Sequence, residues 1–120
     1  MSATTMFVDL NPILLRWFKF TETQYNDPDI AYAVKDIITH TALAAVDQAS
    51  DIDVLGASFF LENSGWSSNI LQSAVNEVAT TTRSIYLNQT TPEWRNSGVK
   101  HIQIDQRYLM TVRLGIDPYV

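Results

Sequence analysis

The chain reads as α+β: two main amphipathic helices packed on a small antiparallel sheet that includes a long C-terminal strand or hairpin. Two apolar stripes at helical spacing and one long apolar alternation carry this expectation. The first stripe is Ile30, Val34, Ile37, Ile38, Thr41 and Ala45, in steps of three and four. The second is Ile70, Leu71, Ala74, Val75, Val78, Thr82 and Ile85. The alternation is Ile102, Ile104, Tyr108, Met110, Val112, Leu114 and Ile116, all at even positions, with only Gln106 breaking the series. Successive strand side chains point to opposite faces, so this pattern marks a half-buried strand.

The elements follow in order. Residues 1–5 are expected to fray, and Met6-Phe7-Val8 forms a short strand or docking segment. Asn11-Pro12 is a helix start, with Asn as cap and Pro at the first helical position. That helix runs to about residue 20, although Leu14–Thr21 is rich enough in aromatics to suit a strand. Asp27-Pro28 opens the second helix by the same logic, extending to about Ala49. Residues 51–61 suit strand or helix alike and stop at Asn63-Ser64-Gly65. Ser67 caps the third helix, with Trp66 placed to staple onto Leu71. The β-branched run Thr80-Thr81-Thr82 weakens that helix near its end. Thr91-Pro92-Glu93-Trp94 is one capped turn, closed by Asn96-Ser97-Gly98.

The terminal alternation constrains its own geometry. A single strand over residues 102–116 would span about 50 Å at about 3.3 Å per residue, whereas typical strands have about five or six residues. A two-residue turn at Asp105-Gln106 would turn Arg107, Leu109, Thr111 and Arg113 inward. A three-residue turn, Asp105-Gln106-Arg107, keeps every apolar residue on one face. It contains no glycine for a left-handed position. The alternatives are therefore a hairpin with poor turn chemistry, or one long strand offering its edge to a neighbour.

Bulk properties bound the function. With 120 residues the chain is expected to form a single domain over residues 1–120. There is no cysteine, so disulfides and thiolate chemistry are excluded. No apolar run reaches the length of a membrane span, and the start lacks the pattern of a secretion signal. A soluble protein, cytoplasmic during synthesis, is expected. Net charge is −5 and lysines number only three, a poor footprint for nucleic acid. Ser, Thr, Asn and Gln total 34 against 21 charged residues. Such a neutral polar surface packs against copies of itself without desolvating many charges.

Chemistry is thinly represented. Asp36 and His40 share a helix face four residues apart, and His101 lies near Gln103 and Asp105 in sequence. Each could belong to a histidine/carboxylate site of a small ligand-binding domain or enzyme. The plainer reading is a solvated surface pair, since no nucleophile or glycine-rich loop accompanies them. Asp51-Ile52-Asp53 is a weak divalent-ion triplet of the same standing. No nucleotide, metalloprotease, EF-hand or hydrolase motif occurs, and no cofactor is expected.

Aromatic pairs supply the remaining signal. Trp17-Phe18 and Phe59-Phe60 are adjacent, and adjacent large residues cannot share one narrow face. Interface positions are expected at Trp17, Phe18, Phe59, Leu109 and Tyr119. Few lysines, no cysteine and many Thr, Asn, Gln and Ser are similar in composition to virion proteins of tailed phages. That likeness covers no motif and implies no site. The function expected is a non-enzymatic structural subunit, in its most concrete form a component of a phage or viral particle. It would pack as a homo-oligomer or within a larger assembly. A host-directed inhibitor of one protein is compatible with the same features.

Overall fold

The computed structural model describes residues 5–46, 54–98 and 100–113. Its elements are β1 (Thr5–Asp9), α1 (Asn11–Trp17), α2 (Glu22–Tyr25), α3 (Pro28–Ala45), α4 (Val54–Glu62), α5 (Ser68–Asn88), α6 (Pro92–Arg95), β2 (His101–Asp105) and α7 (Arg107–Arg113). The described chain is mostly helical, and its sheet is a parallel pair of β1 and β2. This overturns the expectation of an antiparallel sheet with a long C-terminal strand or hairpin. Parallel strands need a crossover rather than a tight turn, and here helices α1 to α6 provide it.

The alternation fails after Asp105 for a visible reason. Strand pairing ends there, and Asp105, Gln106 and Arg107 form a strand-to-helix corner instead of a hairpin loop. Along α7 the buried residues are Tyr108, Leu109 and Val112, spaced one and three apart, while Met110 is 53% exposed. That is a helical face. Leu109, apolar at an odd position, is buried here, against the even-numbered face of the strand expectation. Leu114 and Ile116 lie outside the described residues.

The helices form much where their caps and stripes place them. Asp27 accepts from the Asp29 amide at 3.0 Å, and Pro28 opens α3. Its stripe Ile30, Val34, Ile37 and Ile38 is buried, joined by Ala31 and Ala42, which let neighbours approach closely. Ser67 accepts from the Ile70 amide at 3.3 Å to cap α5. That helix continues through the threonine run to Asn88, because Thr82 itself is fully buried and packing outweighs its weak propensity. Thr91 caps α6 through the Trp94 amide at 3.1 Å.

Two elements differ in detail. Residues 18–20 lie beyond α1, and Leu10, not Asn11, is its cap residue. The short α2 was not expected; Thr21 and Gln24 build it as a reciprocal capping box. Of the ambiguous segment 51–61, residues 54–61 belong to helix α4, and 51–53 lie outside the described residues.

Helix α3 sits centrally, packing on α4, α5 and α7. Trp66 lies edge-on to Phe18 and Phe20, with ring centroids 5.7 and 5.3 Å away. The Tyr108 hydroxyl donates to the Phe18 carbonyl at 2.7 Å, tying α7 to the end of α1. Among the described residues no helix is long and apolar enough to cross a membrane.

Candidate interaction site: the open sheet and its edge

Among the described residues the sheet is covered on one side only. Met6 and Val8 are buried and stand beside Ile102 and Ile104, which pack partly against the core. On the other face Phe7 is 65% exposed beside Gln103, with His101 also exposed. Parallel sheets are normally covered on both faces, so a two-stranded one with an open face is incomplete as a packing unit.

The carboxyl ends of the strands are knotted by side chains. Asn11 Nδ2 donates to Asp9 Oδ1 at 2.9 Å and to Asp105 Oδ1 at 2.8 Å. Asn11 Oδ1 accepts from the Tyr108 amide at 3.0 Å, satisfying a first-turn N–H of α7. Asp105 Oδ1 also accepts from the Arg107 amide and Nε at 3.2 and 3.1 Å, and Oδ2 lies 2.9 Å from Arg107 Nη2. The Asn11 amide first, then Arg107, holds the Asp105 carboxyl below its ordinary range. These bonds explain a capping joint between β1, β2 and α7.

The far edge of β2 carries unused main-chain groups. Leu10 N donates to the Asp105 carbonyl at 3.0 Å, so Asp105 faces β1. In a parallel pair the residues of one strand face their neighbour alternately. His101, Gln103 and Asp105 therefore bond to β1, whereas the amides and carbonyls of Ile102 and Ile104 point outward. A cleft of about 480 Å³ opens there, lined by Gln103, Ile104, Asp105, Lys35 of α3 and Leu109 and Met110 of α7. Gln106 also borders it, donating to Thr39 at 3.1 Å while its buried Oε1 has no partner.

The residues expected at an interface scatter. Phe18 and Leu109 are 0% and 1% exposed and belong to the chain's own core. Trp17 is half-buried, its indole donating to Glu77, which also pairs with Arg16. Phe59 is 69% exposed on α4, next to Phe60 at 39%. Tyr119 lies outside the described residues, as does the triplet Asp51–Asp53. Phe7 was missed as an exposed aromatic, though Met6-Phe7-Val8 read as a strand already implied that one of the three faces away.

The histidine/carboxylate candidates do not gather. Asp36 is exposed and His40 half-buried on α3, His101 is exposed on β2, and none of them lines the cleft. Among the described residues no group of three or more His, Asp or Glu side chains is placed to hold a metal ion. No family model, curated protein sequence or solved structure matches the chain.

Proposed function

We propose that the chain is a non-enzymatic assembly subunit that packs through homo- or hetero-oligomeric contacts. The observation that carries this reading is the half-covered parallel sheet with Phe7 on its open face. A large exposed ring on an uncovered sheet costs solvation free energy that a partner surface recovers. Phe59 and Phe60 add a second exposed aromatic patch on α4. The neutral polar surface supports the same reading, because it can be buried without stripping water from many charges. The particle-component form of the proposal rests on composition. Sedimentation of the purified chain over a wide concentration range tests it. Self-association, or stable association with a copurifying partner from the native source, is expected; a monomer at every concentration with no such partner overturns the proposal.

A further inference from the structure

Resting on the assembly reading, we propose that the outer edge of β2 pairs antiparallel with β2 of a second copy, across a two-fold axis at Gln103. The strand His101-Ile102-Gln103-Ile104-Asp105 is self-complementary in this register. Ile102 of one copy stands opposite Ile104 of the other, and each such pair exchanges both of its main-chain hydrogen bonds. The groups used are those that point away from β1. Isoleucine faces isoleucine on the inner side, extending the apolar layer begun by Met6 and Val8. On the outer side His101 stands opposite Asp105 of the second copy, so a ring N–H donor meets a carboxylate. Arg107 on Asp105, Asp9 beside it in the register and Lys35 across the cleft are charges near that pair.

The occupant is a second copy because the strand's two ends differ in charge type. His101, just after Lys100, begins it and Asp105, beside Asp9 in the register, ends it. Antiparallel pairing sets each end against its opposite, whereas parallel pairing of like strands in register would stack Asp105 on Asp105. Among the described residues β1 is the element that packs most extensively on β2, and the cleft gives an approaching strand room along Gln103, Ile104 and Asp105. The product is a four-stranded sheet in the order β1-β2-β2-β1, an isologous assembly that closes after two copies.

Gln103 is exposed and makes no described side-chain bond, so charging it leaves the single-chain fold intact. Across the axis it forms a non-hydrogen-bonded pair, with Cα atoms about 4.5 Å apart and side chains in contact. Sedimentation equilibrium of the wild type is expected to give twice the chain mass of 13.6 kDa. Gln103→Lys alone and Gln103→Glu alone should each weaken the dimer at least tenfold with unchanged circular dichroism. An equimolar mixture of the two variants should restore a heterodimer, with salt-dependent affinity. A wild-type oligomer indifferent to both substitutions overturns β2 pairing while leaving the assembly reading standing. A wild-type monomer with no copurifying partner overturns both.

Discussion

Gly65 shows how one residue fixes a joint. Its φ of +113° lies where side chains are strained, and an added Cβ would sit 2.6 Å from Gln24 Nε2. That amide donates to the Ser64 carbonyl at 2.8 Å, connecting the buried Gln24 to the corner after α4. Gly65→Ala is expected to cost about 1–3 kcal/mol from backbone strain, with the clash adding to it. Urea unfolding with an unchanged slope and a lowered midpoint would show this. Asn11 is the corresponding joint at the sheet. Asn11→Ala removes bonds to Asp9, Asp105 and the Tyr108 amide, and should cost about 1–3 kcal/mol. Asp105 makes that joint pH-sensitive. Its folded pKa is depressed, so its contribution is present above the ordinary value of 3.8 and is lost as pH falls through the folded value. Asp105→Asn should therefore flatten the acid limb of the stability profile below about pH 4, compared with wild type in the same titration.

At the scale of elements, α3 and α5 were legible because cap, stripe and length agree. Asp27-Pro28 and Ser67 start them, and the apolar positions recur at helical spacing. Residues 102–113 were misread because two short elements abut with matching parity. Ile102 and Ile104 belong to a strand, Tyr108 and Val112 to a helix, and both sets fall on even numbers by coincidence of phase. The corner was written in Asp105 and in Asn11, which caps α7 from nearly a hundred residues away in sequence; a long-range cap leaves no local signal. Leu109 and Met110 separate the two readings by experiment. Leu109→Ala should destabilise by about 2–5 kcal/mol, while Met110→Ala should stay within about 0.5 kcal/mol. A strand with an even-numbered core would reverse that order. The candidate site was less legible than the helices, since outward-facing main-chain groups on β2 follow from pairing to β1 and not from residue types.

At the scale of the whole molecule, the core of the described residues closes around α3, and among them the sheet stays open on one face. Of the aromatic pairs, Phe18 is buried beside the half-buried Trp17, whereas Phe59 and Phe60 are both exposed on α4. Phe59→Ser is expected to leave unfolding unchanged within about 0.5 kcal/mol. If α4 contributes a contact, the same substitution lowers association measured by light scattering. The mass of the wild-type chain in solution, followed by sedimentation equilibrium from low to high micromolar concentration, bears on everything above. Self-association that strengthens with concentration is the expected outcome. A single 13.6 kDa species throughout, with no partner recovered from the native source, would show that the open sheet is not an assembly surface.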